Sequence, residues 1–345
     1  MVDRIGLGVG AVSALVVTLA VPVHAQDGPD VAEVVVTAAP FPLSLDTATT
    51  HVEILKAEDI AKLPPGGLGE ALASVAGVRS SAYAPGASRP VIRGQSGQRV
   101  QVLQNGLGLV DASALSPDHA VASDPAEASR IEVLRGPSAL AYGGSAVGGV
   151  VNVIDDRIPR RAPENGHEGR IAASAGGAGQ ARGAAGSVVL GRGPLVFAFD
   201  GNVHASEAYD VPVAPVSRAR ALRDGLTVDP KGVVENSFVD FEGFGAGLAL
   251  IGEPGSAGLS FKHTATRYGV PYPQILAPID PNAEGPVGID LVQDRIDLRA
   301  QRQVALGPFE LVRFAAGWAD YEHAEFSALT GDIGTRFLSD GVEGR

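Results

Sequence analysis

The sequence predicts an α+β unit over residues 50–159, followed from Arg160 by antiparallel strands of a transmembrane β-barrel that are too few to close it. Three observations carry this. Residues 50–159 mix short alternating strands with short helical stretches. Beyond Arg160 apolar side chains recur at every second position, run after run. Finally, 45 glycines punctuate the 345 residues, which suits many turns and short strands better than a helical bundle.

Composition excludes several function classes. The chain has no cysteine, so it carries no disulfide framework, thiolate nucleophile or cysteine-ligated metal. Its 39 acidic against 27 basic residues give a formal charge of −12, which argues against a nucleic-acid partner. No nucleophile, base and orienting group occur together in a recognisable context, so no enzyme activity is expected and no cofactor is implied.

Residues 1–25 read as a secretory signal. Arg4 precedes the apolar run Ile5 to Val21, and Val23-His24-Ala25 offers small residues at the cleavage positions before polar Gln26. Residues 26–49 form a linker holding one β-branched run, Glu33-Val34-Val35-Val36-Thr37. Pro40 and Pro42 are expected to keep that run from joining a sheet of its own chain. A lone strand of this kind suits addition to another protein's sheet edge, and equally suits an ordinary first strand of the next domain.

Within residues 50–159, Val52 to Leu55 alternates as a strand, and Lys56 to Ile60 begins a short helix that Pro64-Pro65 ends. A second helix is predicted over Gly69 to Ala76, with Leu68, Leu72 and Val75 on one face and Gly77 as its C-terminal cap. Strands follow at Val78 to Ser81, Arg89 to Gly94 and Arg99 to Gln104, the last closed by an Asn105-Gly106 turn. The loop Asp111 to Ala120 places Asp118 and His119 side by side after Ser116-Pro117. An oxygen and a nitrogen donor together suit zinc or a similar borderline cation, although two ligands are half a site and such pairs are common turn chemistry. The densest motif runs from Arg130 to Ile154: a short strand, the turn Arg135-Gly136-Pro137, a glycine-rich connection and a buried strand.

That run, together with Arg93-Gly94 and the strand Arg99 to Gly106, resembles the plug domain of TonB-dependent outer-membrane receptors. The resemblance implies a plug domain over residues 50–159 whose turns are Arg93, Gly94, Arg135, Gly136 and Pro137. It further implies a TonB box at Glu33, Val34, Val35, Val36 and Thr37, binding the TonB periplasmic domain, and residence in the bacterial outer membrane. Arg93, Arg99, Arg130 and Arg135 recur at strand ends; inside a barrel they are expected to meet acidic wall residues through water.

From Arg160 to Arg345, seven strands are predicted: 169–177, 184–191, 195–205, 237–250, 257–266, 289–303 and 309–322. Short turns alternate with the longer segments 207–236 and 269–288. A transporter barrel that holds a plug needs about 22 strands, so this partial outer-membrane barrel reads as part of an N-terminal fragment. The phrases Ser116 to Pro125, Arg267 to Pro271 and Tyr321 to Phe326 are most similar to the zinc-uptake branch of the family, which places the Asp118-His119 pair at a metal site on the plug. One departure is that Tyr272 to Gly288 contains no histidine, where that branch has a histidine-rich loop. The expected function is import of a scarce metal, zinc or a zinc complex, through energy-coupled plug rearrangement. Two alternatives stand beside it: a receptor for an organic chelate such as a siderophore or cobalamin, and a soluble secreted β-rich binding protein.

Overall fold

The computed structural model describes residues 35–36, 43–44, 52–63, 66–136, 139, 142, 146–224, 232–271, 285–307 and 309–345. The signal reading therefore lies outside the described residues, as do Glu33, Val34, Thr37 and Pro137.

One expectation about the linker is corrected. Strand β1 (Val35–Val36) pairs antiparallel with β2 (Leu43–Ser44), Val35 opposite Ser44 and Val36 opposite Leu43. The β-branched run thus has a partner in its own chain. Pro40 and Pro42 lie between the paired residues, and a proline outside the ladder costs it no hydrogen bond.

The plug is built on a five-stranded sheet of order β3-β8-β9-β6-β7, comprising β3 (Val52–Lys56), β6 (Val100–Gln104), β7 (Leu107–Gly108), β8 (Arg130–Leu134) and β9 (Gly149–Ile154). Strand β9 is buried along its whole length, between antiparallel β8 and parallel β6. That accounts for its unbroken apolar reading, since a strand covered on both faces has no solvent side to keep polar. Asn105 and Gly106 take φ of 56° and 85°, the hairpin turn that their sequence predicts.

Helix α1 (Ala57–Ile60) falls where expected. Helix α2 (Leu68–Ala71) is shorter than predicted. Past Leu72 the chain tightens into i→i−3 turns, Ala73 N to Glu70 O and Val75 N to Leu72 O, while the first amides, which a helix cannot pair internally, donate to Ser88. Leu72 and Val75 still enter the core with Leu68, Ile92, Val100, Ile131 and Val151, so the apolar spacing outlasts the helix. Gly77 closes the turn at φ +74°, and β4 (Val78–Ser80) then pairs with β5 (Pro90–Ile92).

The second half is a single antiparallel meander of eight strands: β10 (His167–Ala175), β11 (Arg182–Arg192), β12 (Leu195–Ser206), β13 (Val239–Gly252), β14 (Gly255–Gly269), β15 (Val287–Leu306), β16 (Phe309–Ser327) and β17 (Ile333–Gly344). Seven match predicted strands and β17 is additional. Helix α3 (Arg218–Asp224), in the loop after β12, was also not foreseen. Among the described residues β10 and β17 do not pair, so the wall is open.

Register sorts the wall into two faces. Phe199, Phe261, Ile296 and Trp318 lie on one exposed face, in the ladder series Phe199↔Ala246↔Phe261↔Ile296↔Trp318. The opposite face buries Lys262, Thr264, Gln293, Arg295 and Tyr321 against the plug. Apolar side chains outward and polar ones inward is the arrangement of a wall whose outside is lipid.

The plug meets this wall through several direct bonds. Arg299 Nη2 donates to Asn105 O at 2.7 Å and Gln293 Nε2 to Val110 O at 2.7 Å. The partners also differ from those expected. Arg99 bonds Gln95 and Arg130 bonds Glu132, both within the plug, whereas Arg93 is exposed. Arg157, just past β9, makes the ionic contact instead: it reaches Asp155, Glu127 and, on β12, Asp200. Close approach is possible because β13 presents glycine at alternate inward positions. A Cβ at Gly245 would run into the Arg157 side chain, and one at Gly247 into the Arg157 backbone oxygen.

Candidate functional site

The plug loop from Asp111 to Ser123 is pinned by its own carboxylate before it reaches the wall. Asp111 Oδ1 accepts from the Ser113 amide at 3.0 Å and Asp111 Oδ2 from the Ala122 amide at 3.1 Å, so one side chain ties both ends of the loop. The loop crest then meets the wall. The Tyr268 hydroxyl of β14 accepts from the Ala120 amide at 2.9 Å and donates to the Asp118 carbonyl at 2.7 Å.

His119, between those two backbone groups, is buried and lies against β16. His119, His323 and Glu325 each bring a ligand atom to within 4.8 Å of the others. His323 and Glu325 are two apart on one strand and share a face. His119 Nε2 is 3.4 Å from Glu325 Oε1, and the two imidazole centroids are 4.5 Å apart. Tyr321 Oη lies 2.9 Å from His323 Nδ1, which fixes the ring and leaves His323 Nε2 buried without a hydrogen-bond partner. His119 Nδ1 is likewise buried and unpartnered. Phe337 of β17 stacks on His323 at 4.3 Å and meets His119 edge-on at 5.9 Å. Two nitrogens and a carboxylate oxygen, partly desolvated and with spare lone pairs, form a donor set for a borderline divalent cation.

Of the predicted pair, His119 is in this cluster and Asp118 is not. The Asp118 carboxylate turns back to accept from the Ser116 hydroxyl, the turn chemistry of a Ser-Pro-Asp stretch. Glu325 supplies the oxygen instead. The sequence holds a signal for the two other members of the cluster, since His323-x-Glu325 on a strand of period two puts both on one face. Arg93 and Gly94 form a turn with φ of 50° and 78°, remote in role from this cluster; Gly136 turns at +85°, and Arg135 is buried.

A second set of charges joins plug to wall. Arg157 Nη2 is 2.8 Å from Glu127 Oε2 and 2.7 Å from Asp200 Oδ2, and its Nη1 is 2.8 Å from Asp155 Oδ2. Lys262 Nζ of β14 is 2.7 Å from the same Glu127 oxygen, an ion pair by distance whose angles fall outside hydrogen-bond geometry. Burial alone would push the Asp155 carboxyl up. The Arg157 guanidinium and a Gln104 amide bond override that and hold it well below the usual carboxylate range. Burial likewise opposes charge on Arg157, yet Asp155, Glu127 and Asp200 raise its pKa further. Nearby, His204 Nδ1 on β12 bridges to Asp124 Oδ2 on the plug at 3.1 Å.

Residues 44–150 match the TonB-dependent Receptor Plug Domain family. Residues 44–150 thus carry the plug domain of the TonB-dependent receptors. Among curated relatives it is similar to the ferric enterobactin receptor PirA of Pseudomonas aeruginosa, 36% identical over 121 residues, 31% of this chain and 16% of that protein. Among solved structures it is similar to the FrpB iron transporter of Neisseria meningitidis, at TM-score 0.64 and 15% identity, covering 86% of this chain and 45% of that one. It is also similar to the siderophore receptor PirA of Acinetobacter baumannii, at TM-score 0.51 and 14% identity, covering 85% and 54%. The chain thus spans about a sixth of the curated relative's length and about half of each solved structure. The plug match and the barrel wall place it in the bacterial outer membrane.

Proposed function

We propose that this receptor imports a borderline divalent cation, zinc before others, held at the boundary of plug and wall by His119, His323 and Glu325. The observation that supports this reading is the convergence of three donor atoms within 4.8 Å, one donor from the plug and two from the wall. In the proposed cycle the cation arrives from outside, binds there, and is released when force on the plug moves the His119 loop away from β16. The segment Glu33 to Thr37 would take that force from TonB, after its short pairing at Val35 and Val36 with Leu43 and Ser44 opens. No bond is made or broken in the cargo.

A second reading is favoured by a different observation. The curated relatives are named ferric enterobactin receptors, and those names support an iron chelate as cargo more than they support zinc.

Calorimetric titration of the chain in detergent with Zn²⁺, beside a fluorescence titration with a ferric catecholate, separates the two. Zinc binding that His323→Ala abolishes, with no catecholate binding, supports the cation reading. Catecholate binding that survives His323→Ala, with no zinc uptake, replaces it with the chelate reading.

A further inference from the structure

His119 owes its position to a wall residue that offers no ligand. The Tyr268 hydroxyl takes the amide of Ala120 at 2.9 Å and gives its proton to the carbonyl of Asp118 at 2.7 Å, so one oxygen brackets the backbone on both sides of His119. Tyr268 is itself fully buried. Its side chain packs against Gly86 of the plug, where a Cβ would collide with Tyr268 Cγ, Cβ and Cδ2, and it packs with Ala120, Ile289, Leu291 and Tyr321 in one apolar cluster. On β16, by contrast, His323 and Glu325 belong to the wall's own ladder and stay in register whatever the loop does. The site is therefore split, with two donors in the sheet and a third carried on a loop whose backbone on either side of His119 the sheet grips through the Tyr268 hydroxyl.

We infer that Tyr268 is the positioning residue that presents His119 to the cation site, and that breaking its two backbone bonds is the step that dismantles the site. The inference rests on the cation reading above. Losing His119 leaves two protein donors, too few to hold a borderline cation tightly against water. Removing a group that orients a ligand typically weakens metal affinity by about 10–100-fold. The linkage also runs backwards: a cation that holds His119 must steady the loop and protect the Ala120 amide.

The test uses the full chain in detergent, with Zn²⁺ and Co²⁺ as probes. Tyr268→Phe keeps the ring and removes the hydroxyl. It is expected to bind Zn²⁺ about 10–100-fold more weakly than the parent. At saturating Co²⁺ its visible ligand-field bands should match those of His119→Ala rather than those of the parent, which a merely structural loss would not produce. In the parent, Zn²⁺ should slow hydrogen exchange in the peptide that carries Ala120. Equal Zn²⁺ affinity and parent-like bands in Tyr268→Phe overturn the inference while leaving the site intact. Exchange at Ala120 that ignores Zn²⁺ overturns it as well, even if the variant fails to fold. A parent chain that takes up no Zn²⁺ removes the cation reading itself.

Discussion

Arg157 and Asp200 lie 2.7 Å apart across the boundary between plug and wall, and the same guanidinium nitrogen is 2.8 Å from Glu127. Arg157 and Glu127 are almost fully enclosed, and Asp200 is 15% exposed. A buried charge is tolerated only while its partners are present. The residue just beyond the plug's last strand thus fastens the plug to β12.

Arg157→Met keeps the length of the side chain and deletes its charge. Glu127, Asp155 and Asp200 then lose their common partner, and breaking a buried pair from one side costs about 3–5 kcal/mol. Urea unfolding in detergent should show a loss of that size. Asp200→Asn should cost less, because Asp200 is the most exposed of the three carboxylates.

Acid should loosen the same contact. The folded Asp155 carboxyl sits below its ordinary value of 3.8 despite its burial, because of Arg157 and Gln104. A depressed carboxylate contributes stability that is complete above its unfolded pKa and is lost as pH falls toward the folded one. Stability should therefore hold above about pH 5 and fall steadily below about pH 4. Asp155→Asn should be less stable at neutral pH and show a flatter acid limb. An unchanged acid limb in that variant, in a pH series of melting temperatures, would assign the slope elsewhere.

Two glycines of β13 should rank in a definite order. Gly247→Ala drives its methyl into the Arg157 carbonyl, which is main chain and cannot step aside; Gly245→Ala meets the Arg157 side chain, which can shift at the expense of its ion pairs. Overpacking costs about 1–3 kcal/mol. Thermal unfolding should place Gly247→Ala at or above the top of that range and Gly245→Ala lower.

Much of this architecture is legible in the sequence because it is local. The Asn105-Gly106 turn, the buried run of β9 and the period of two in β12 to β16 each depend on neighbours in the chain. Strand β17 was missed because Ile333 to Gly344 mixes Gly334, Arg336, Asp340 and Gly341 with few apolar residues; its pairing with β16 holds it extended. Two of the three residues of the candidate site were missed for a related reason. Asp118 and His119 are adjacent in sequence, but His323 and Glu325 join His119 from about 200 residues away, through register alone. The plug–wall bonds escaped because burial of both partners cannot be read from residue type. Lys262 and Arg295 look like solvated charges until the plug covers them.

Lys262 and Arg157 converge on one carboxylate oxygen of Glu127, at 2.7 and 2.8 Å, and that convergence predicts a failure of additivity. With Lys262→Met alone, Glu127 keeps Arg157; with Arg157→Met alone, it keeps Lys262. The double variant leaves a carboxylate with 1% side-chain exposure facing no cation. Its loss should exceed the sum of the single losses, with a coupling of about 0.5–3 kcal/mol, the range for residues that share a partner. Strict additivity at neutral pH would mean that the two cations do not act on Glu127 together, and that Asp155 and Asp200 alone hold Arg157 in place.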